Sequence, residues 1–316
     1  MSLKVLAPAH FVDELREPAF AIGATLVGYD QNAAPAEQCR DAVALFRWWL
    51  SSEDGDRIVH EHPSLRWVHT GSAGVDHILT PSFRASGITL TNSAGVHAPS
   101  IAEWVVALIL AEAKGLEAIF RQQREHVWKV VRSEEITGRH ALILGGGHIA
   151  REIASRLRAM GVRVTSVTRS GLPSGEFDAV ADVASLRSLC GSADWLILAA
   201  PLTRDTRGII SADLIATLPS RARIVNVARG ELVDERAMLE ALTERRIAGA
   251  ILDVFEQEPL PADHPFWAMD SVRVLPHTTW RSEQVHARQM ALFLDNLGRY
   301  LRSEPLRNVV DPVRGY

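Results

Sequence analysis

The feature that most constrains the fold of this chain is a glycine triplet between a short apolar run and a helical pattern. Residues 141–144 are all apolar, which is typical of a strand that is buried on both faces. Residues 145–147 are glycines, and from Ile149 onward apolar residues recur at helical spacing. A strand, a glycine turn and a helix in this order are the context in which a dinucleotide-binding fingerprint is expected.

Gly145, Gly147 and Ala150 occupy the three marked positions of the fingerprint G-x-G-x-x-G/A. The first permits a tight turn, the second leaves room for a pyrophosphate, and the small third residue lets helix and strand pack closely. The start of the helix offers N–H groups and the positive end of its dipole to the phosphates. A glycine triplet alone also fits an ordinary flexible turn, but this context predicts dinucleotide binding.

Length and composition bound the class of protein. The chain has 316 residues, which exceeds one ordinary core and favours two domains. The formal net charge of −4, without a dense block of Lys or Arg, gives no reason to expect nucleic acid. Cys39 and Cys190 do not make a disulfide framework, so we expect a cytoplasmic protein. We expect no secretory signal and no membrane-spanning segment, because the apolar stretches are too short.

Short apolar runs alternate with helical or polar segments, which indicates an α/β architecture with parallel sheets. The predicted strands cover residues 4–7, 24–27, 42–46, 65–69, 88–91, 141–144, 162–168, 194–200, 223–227, 248–253 and 272–275. Ser211 and Asp234 are predicted to cap two helices between the later strands. We therefore predict two domains, each a doubly wound parallel sheet.

The domain boundaries rest on two helical segments. Ser100 with Glu103 fits a capping box before an apolar run, and this marks the entry to the second domain. Residues 284–301 predict one amphipathic helix that returns the chain to the first domain. The predicted substrate-binding domain is residues 1–98 plus 283–316, flavodoxin-like, and a Rossmann-type dinucleotide-binding domain, residues 99–282, is inserted into it.

Residues 70–76, Thr-Gly-Ser-Ala-Gly-Val-Asp, follow a predicted strand and are mostly small. Open α/β sheets place their ligands at such strand ends. The backbone N–H groups of this turn could hold a carboxylate. A plain strand-to-helix turn fits the same residues, and the sequence leaves both interpretations open.

Further candidate residues lie just beyond later strands. Arg229 follows a buried strand and precedes Gly230, so its guanidinium is expected to point into the crevice. The planar fork of arginine suits the carboxylate and carbonyl of a 2-keto acid. Taken singly, Arg229, Glu258 and His277 each fit a purely structural role. Their joint occurrence after strands of one sheet indicates a catalytic group.

These segments resemble the D-2-hydroxyacid dehydrogenases over nearly the whole chain. The matching motifs are Leu144-Gly145-x-Gly147-x-Ile149, Pro201-Leu202-Thr203, Asn226-x-Ala228-Arg229-Gly230, Leu252-Asp253-Val254-Phe255-x-x-Glu258-Pro259 and Pro276-His277. Five motifs in this order are far more specific than any one alone. The layout and the C-terminal residues 310–316 are most similar to the glyoxylate/hydroxypyruvate reductase branch.

The resemblance implies NAD(P)H-dependent reduction of a small 2-keto acid to the D-2-hydroxy acid by hydride transfer. Arg229 would bind the substrate carboxylate and carbonyl oxygen. His277 would be the general acid, and Glu258 would hydrogen-bond it and favour its imidazolium form. Asp253 would steady this dyad.

The resemblance also implies contacts with the rest of the substrate. The backbone of Ala73 and Gly74 would hold the carboxylate. Trp280 stands where most relatives have small residues, so it would narrow the substrate site or simply cover it. Independently of the resemblance, Arg47 and Trp48 lie at another predicted strand end, where they would shape the pocket for the side group. Core packing of the tryptophans fits equally well, and both interpretations stay open.

The end of the second strand of the nucleotide domain indicates whether the cofactor carries a 2′-phosphate. Residues 167–170 read Val-Thr-Arg-Ser and contain no acid, whereas NAD-dependent enzymes commonly bind the ribose hydroxyls with Asp or Glu there. Arg169 would attract a 2′-phosphate, so we expect NADP(H) to be favoured over NAD(H). The predicted cofactor-binding residues are Gly145, Gly147, His148, Ile149, Thr168, Arg169, Ser170, Pro201, Thr206, Ala228 and Asp253.

The resemblance suggests a homodimer built on the helix after Ser100. No metal site is expected, because His60, His62 and His69 lack metal-ligand spacing. An alternative from another class is a dinucleotide-sensing regulatory protein on the same fold, as some corepressors are. The complete Arg–Glu–His set disfavours it, because a sensor has no need of an acid–base dyad.

Overall fold

The computed structural model describes residues 3–30 and 40–316, so Cys39 lies outside the described residues. The strands are β1 Leu3–Pro8, β2 Ala24–Tyr29, β3 Ala44–Arg47, β4 Trp67–Thr70, β5 Thr89–Thr91, β6 His140–Leu144, β7 Arg163–Thr168, β8 Ala179–Asp182, β9 Trp195–Leu198, β10 Arg223–Asn226, β11 Gly249–Leu252 and β12 Val272–Val274. The helices are α1 Ala9–Ala21, α2 Ser52–Glu61, α3 Pro81–Ala85, α4 Ala98–Lys114, α5 Leu116–Arg124, α6 His148–Ala159, α7 Leu186–Cys190, α8 Ala212–Ile215, α9 Glu235–Thr243 and α10 Glu283–Leu301. Every strand predicted from the sequence is present within two residues of its expected bounds.

The chain divides into two compact units. Unit 1 is Met1–His97 with Ser282–Tyr316, and unit 2 is Ala98–Arg281. These limits differ by one residue from the domain limits expected from the sequence. The assignment of substrate to unit 1 and dinucleotide to unit 2 stays a prediction.

The described strands of unit 1 form a five-stranded parallel sheet in the order β2-β1-β3-β4-β5. This is the flavodoxin-like order, which places a ligand crevice at the carboxyl ends of the strands. Aromatic residues fill the core on one face: the ring of Phe46 stacks on Phe293 of α10 at 4.4 Å, and Trp67 lies 5.9 Å from the same ring. The carboxyl end of β4 leads directly into the small-residue turn of residues 70–74.

Unit 2 contains a seven-stranded parallel sheet in the order β12-β11-β10-β9-β6-β7-β8. The strand order reverses between β6 and β9, and this is the switch point where doubly wound sheets bind dinucleotides. β6 and β9 are fully buried, as expected for apolar strands covered by helices on both faces. Because all strands run parallel, the glycine turn, Arg229, Asp253 and His277 follow strand ends at one edge of the sheet.

Two local features of unit 2 differ from expectation. The edge strand β8 was not predicted, because its half-exposed residues carry no strong apolar pattern. The capping box at Ser100 is wrong: α4 begins at Ala98, and the Ser100 hydroxyl donates to the carbonyls of Thr279 at 2.8 Å and Arg281 at 2.9 Å. Glu103 instead forms an ion pair with Arg156 at 3.6 Å.

The two predicted helix caps later in the chain are confirmed. The hydroxyl of Ser211 accepts a hydrogen bond from the N–H of Leu214 at the start of α8. The carboxylate of Asp234 accepts one from the N–H of Ala237 at 2.9 Å, at the start of α9. Both satisfy N–H groups that the first helical turn leaves without an intrahelical partner.

Candidate active site

The glycine turn between β6 and α6 has the geometry that a dinucleotide requires. Gly145 has a φ of +126°, and a Cβ there would lie 2.5 Å from the carbonyl oxygen of Ala199, so only glycine fits. A Cβ on Gly147 would meet nothing within 4 Å, which leaves the backbone open to a phosphate. Ala150 is fully buried, and no side chain of the described residues caps α6. The first-turn N–H groups of α6 therefore fit a dinucleotide pyrophosphate.

The end of β7 carries the residues expected near a 2′-phosphate. Arg169 and Ser170 are exposed, and Thr168 is half-buried with its hydroxyl accepting from the N–H of Gly171 at 3.1 Å. Sequence reasoning missed Asp182, which pairs in register with Thr168 across β7 and β8. Its carboxylate accepts from the N–H of Ser185 at 3.1 Å and from the Ser185 hydroxyl at 2.8 Å.

The loop after β9 is held by its own threonines. The hydroxyl of Thr206 donates to the carbonyl of Pro201 at 2.7 Å and accepts from the N–H of Thr203 at 2.8 Å. Pro201 is exposed at the head of this loop. Thr206 therefore fixes the loop conformation, and a contact of Pro201 or Thr206 with the cofactor stays a prediction.

Arg229 stands in a loop that its neighbours hold tightly. Asn226, at the end of β10 and 1% exposed, donates from Nδ2 to the carbonyl of Arg229 at 2.8 Å and accepts from the N–H of Ala228 at 3.1 Å. A Cβ on Gly230 would lie 2.0 Å from the carbonyl carbon of Phe255, so this position also requires glycine. The half-buried Arg229 donates from Nη1 to the carbonyl of Ala228 at 2.8 Å. Sequence reasoning quoted Asn226 only as part of a motif and missed this role.

Glu258 and His277 form the predicted pair. Nδ1 of His277 lies 2.7 Å from Oε2 of Glu258, and Oε1 accepts the N–H of Phe255 at 3.0 Å. An ionised carboxylate only accepts, so Nδ1 donates and Nε2 is the nitrogen that can exchange a proton with a substrate. The His277 side chain is 44% exposed and its backbone lies in the left-handed region at a φ of 48°.

The electrostatics of this pair keep the glutamate ionised. Burial by itself raises the pKa of Glu258, but the hydrogen bond and charge of His277, the N–H of Phe255 and the charge of Arg229 lower it. The net pKa of Glu258 lies below its ordinary value. A carboxylate at neutral pH is therefore available to stabilise an imidazolium.

Asp253 holds the loop that carries His277. It is 2% exposed, and its carboxylate accepts from the N–H of Thr278 at 2.8 Å, the N–H of Thr279 at 3.2 Å and the Thr279 hydroxyl at 2.5 Å. Burial raises the pKa of Asp253, against the lowering effect of these hydrogen bonds. These contacts support a positioning role for Asp253, and its predicted contact with the cofactor stays a prediction.

Trp280 adds a second restraint on the same loop. Its indole Nε1 donates to the carbonyl of His277 at 2.9 Å, and the ring packs on the buried side chains of unit 2. The guanidinium of Arg281 lies 5.4 Å from the ring centroid. These contacts support a role in placing His277; a role in narrowing the substrate site stays a prediction.

The predicted substrate residues of unit 1 differ in their surroundings. Arg47 is 3% exposed, and it donates from Nη2 to the carbonyls of Leu50 at 2.5 Å and Ser51 at 3.1 Å. Burial lowers its pKa to about 10. These contacts support a structural role for Arg47, and its contact with the substrate pocket stays a prediction. Trp48 is partly buried against Phe11, with ring centroids 4.9 Å apart, which supports the core interpretation.

Ala73 and Gly74 lie half-buried in the turn after β4. Within residues 3–30 and 40–316, neither backbone N–H has an acceptor. Among the same residues no group of three or more His, Cys, Asp or Glu side chains could hold a metal ion. In the described part of the chain, every helix is too short or too polar to cross a membrane.

A doubly wound sheet with an open glycine turn, and an arginine and a glutamate–histidine pair after its strands, defines a dinucleotide-dependent oxidoreductase. Residues 106–279 match the family described as D-isomer specific 2-hydroxyacid dehydrogenase, NAD binding domain. The chain belongs to this family, and it shares the family's two-domain α/β fold over its full length.

Individual relatives agree with this assignment. A glyoxylate reductase from Korarchaeum cryptofilum is 31% identical over 281 residues, which cover 87% of this chain and 84% of that protein. A D-isomer specific 2-hydroxyacid dehydrogenase from Xanthobacter autotrophicus, solved with NADPH and MES, has a TM-score of 0.87 at 27% identity and 100% coverage of both chains. An NADPH-dependent glyoxylate/hydroxypyruvate reductase from Sinorhizobium meliloti, solved with NADP and sulfate, has a TM-score of 0.83 at 30% identity, again with 100% coverage.

Proposed function

We propose that this protein reduces a small 2-keto acid of the glyoxylate or hydroxypyruvate type to the D-2-hydroxy acid, with NADPH as the favoured reductant. The observation that carries the proposal is the 2.7 Å contact between His277 and an ionised Glu258 in a unit whose glycine turn fits a dinucleotide. The names of the relatives support the substrate class. Two structural neighbours were solved with NADPH or NADP.

The proposed residues divide the chemistry among themselves. The bound reduced dinucleotide supplies the hydride. Arg229 binds the keto acid through its planar fork and polarises the carbonyl. His277 delivers a proton from Nε2 to the carbonyl oxygen, and Glu258 stabilises the imidazolium before that step. In the reverse direction His277 accepts the proton from the hydroxy acid.

The substrate class is tested by a panel of keto acids. We expect NADPH oxidation, followed by absorbance, with glyoxylate and hydroxypyruvate, and slower oxidation with bulkier keto acids. Dinucleotide binding without turnover of any keto acid would contradict the proposal. That outcome would favour the dinucleotide-sensing alternative instead.

The cofactor preference is tested at Arg169. Loss of one charge-assisted contact to a 2′-phosphate is expected to cost about 10- to 100-fold in affinity. Arg169→Ala should therefore lower kcat/KM with NADPH by about that factor and leave the value with NADH unchanged. Arg163, exposed at the opposite end of β7, provides the matched control Arg163→Ala. A wild type that prefers NADH, or uses both cofactors equally, would overturn the proposal.

We also propose a homodimer in a reducing cytoplasm. Apolar side chains are exposed from α4 through the segment after α5: Trp104 is 38%, Phe120 52%, Trp128 102% and Val130 91% exposed. A second copy would remove this surface from water. The mass in solution, measured by light scattering, tests this. A monomer at micromolar concentration would contradict it.

Cys190 is a free, buried thiol, which is consistent with the proposed reducing cytoplasm.

A further inference from the structure

The turn of residues 70–74 in unit 1 is held by hydrogen bonds to its first four carbonyls. The carbonyl oxygens from Thr70 to Ala73 all accept hydrogen bonds, and four of the five bonds come from side chains. The donors are Ser93 Oγ to Thr70 at 2.9 Å, His97 Nε2 at 3.0 Å and Gln289 Nε2 at 2.7 Å to Gly71, Ser93 N to Ser72 at 3.0 Å, and Asn92 Nδ2 to Ala73 at 2.7 Å.

These donors are buried polar groups. Asn92 is 7% exposed, His97 6%, Gln289 2% and Ser93 0%. Burying an amide or an imidazole costs free energy unless it is hydrogen-bonded, and the carbonyls of the turn accept these hydrogen bonds. A carbonyl oxygen only accepts, so the Nε2 of His97 carries the proton.

Because the peptide bond is planar, a hydrogen bond that fixes a carbonyl also fixes the direction of the N–H group of the next residue. In a trans peptide the N–H points opposite to the C=O of the preceding residue. The Asn92 bond to the Ala73 carbonyl therefore fixes the direction of the Gly74 N–H, and the Ser93 bond to the Ser72 carbonyl fixes that of Ala73. Neither of these N–H groups has an acceptor among residues 3–30 and 40–316. The carbonyls of Ser72 and Ala73 are therefore hydrogen-bonded, whereas the adjacent N–H groups of Ala73 and Gly74 have no acceptor within the described residues.

We propose that Asn92, supported by His97 and Gln289, is a positioning residue that preorganises the N–H groups of Ala73 and Gly74 to receive the substrate carboxylate. This inference rests on the proposed keto-acid reductase function. Donors that are fixed before binding lose little freedom on binding, so their contribution appears as affinity for the carboxylate. Asn92 does not touch the substrate, and it acts through the Ala73–Gly74 peptide.

The test compares two isosteric substitutions of buried asparagines in unit 1. Asn92→Asp replaces the donor to the Ala73 carbonyl by an acceptor and repels that carbonyl. Asn296→Asp is the control, because Asn296 is 0% exposed and its Nδ2 donates to the carbonyl of Arg307 at 3.1 Å, outside the turn. Gln289→Met is a second variant that removes one of the two donors to Gly71 and keeps the side-chain size.

We expect Asn92→Asp to raise KM for glyoxylate and hydroxypyruvate about 10- to 100-fold, the range for a lost hydrogen bond to a charged group. Its kcat and its KM for NADPH should change by less than about threefold. The lost interaction stabilises the bound substrate and the transition state equally, and the variant does not touch the reacting atoms. Gln289→Met should raise the keto-acid KM less, about three- to tenfold, because His97 keeps a bond to the same carbonyl. Asn296→Asp should leave the keto-acid KM unchanged.

A second readout does not depend on turnover. Binding of oxamate to the enzyme–NADPH complex, measured by calorimetry, should weaken in Asn92→Asp by the same factor as KM rises, and not in Asn296→Asp. An unchanged keto-acid KM in Asn92→Asp, or equal losses in both asparagine variants, would overturn the inference while the reductase function stands. A wild type that turns over none of the keto acids would overturn the proposed function itself.

Discussion

The turn of residues 70–74 and the Arg229–Glu258–His277 set are built in opposite ways. The turn offers backbone N–H groups, and the carbonyls of the same turn accept hydrogen bonds from the buried amide side chains of Asn92 and Gln289. The set offers ionisable side chains that are partly open to water, with His277 44% and Glu258 35% exposed. Backbone amides do not titrate, whereas an imidazole–carboxylate pair does. We therefore expect the pH dependence of turnover to come from the Glu258–His277 pair of unit 2, and the turn to contribute to substrate affinity only.

The largest expected effect is at the proton donor. His277→Ala removes general acid catalysis, which contributes about 10²–10⁴-fold, so kcat should fall by about that factor. Dinucleotide affinity should be unchanged, because the glycine turn lies after another strand. Steady-state kinetics with hydroxypyruvate, together with a fluorescence titration of NADPH, measure both. A change confined to KM would contradict the role of His277 as proton donor, since it would indicate that His277, like the turn, contributes only to substrate affinity.

The next effect is at the arginine. Arg229→Lys keeps the charge but replaces a planar fork by a point charge, so one hydrogen bond to a charged group is lost. We expect kcat/KM for the keto acid to fall about 10- to 100-fold. Arg207, exposed and 3.8 Å from Glu231, gives the control Arg207→Lys, for which no change is expected. Equal activity of the two variants would contradict the role of Arg229.

A smaller effect, of about tenfold in kcat, is expected from Glu258→Gln, because the neutral amide no longer stabilises the imidazolium.

The pH dependence of the stability gives a second test of Glu258. The folded pKa of Glu258 lies below that of the unfolded chain, so its contribution to stability is fully present above the unfolded pKa and is lost as pH falls through the folded pKa. Glu258→Gln should remove this acid-side loss from denaturant-unfolding curves. Superimposable pH–stability profiles would contradict it.

Asp253 is buried like the side chains that hold the turn, but it is ionisable like Glu258 and His277. Asp253→Asn leaves the donors of Thr278 and Thr279 poorly satisfied, which should cost about 1–3 kcal/mol of unfolding free energy and lower kcat only a few-fold. The pKa of Asp253 is raised, so its contribution to stability is present below the unfolded pKa and is lost as pH rises through the folded pKa. Chemical denaturation of the wild type and Asp253→Asn as a function of pH should show this loss only in the wild type.

Much of the fold followed from patterns within the sequence. Apolar runs gave the strands, and the caps at Ser211 and Asp234 were read from residue type alone. The pairing of Glu258 with His277 was predicted from the family resemblance, and the structure brings the two side chains together. Local pattern succeeds where the same few residues both form the element and satisfy its hydrogen bonds.

The failures are long-range contacts that no local pattern reveals. Ser100 looked like a helix cap, but its hydroxyl donates to a carbonyl 179 residues later. Gln289 donates to the turn of residues 70–74 from 218 residues away, so the sequence alone could not indicate this contact. Asn92 follows β5 directly, and an asparagine at a strand end was the one local signal available.

The decisive measurement is the product that the wild-type enzyme forms from hydroxypyruvate and NADPH, resolved by enantiomer. We expect D-glycerate in an amount equal to the NADPH oxidised, and loss of that product in His277→Ala. L-glycerate, or NADPH oxidation without glycerate, would contradict the assignment of hydride acceptance and protonation to this site.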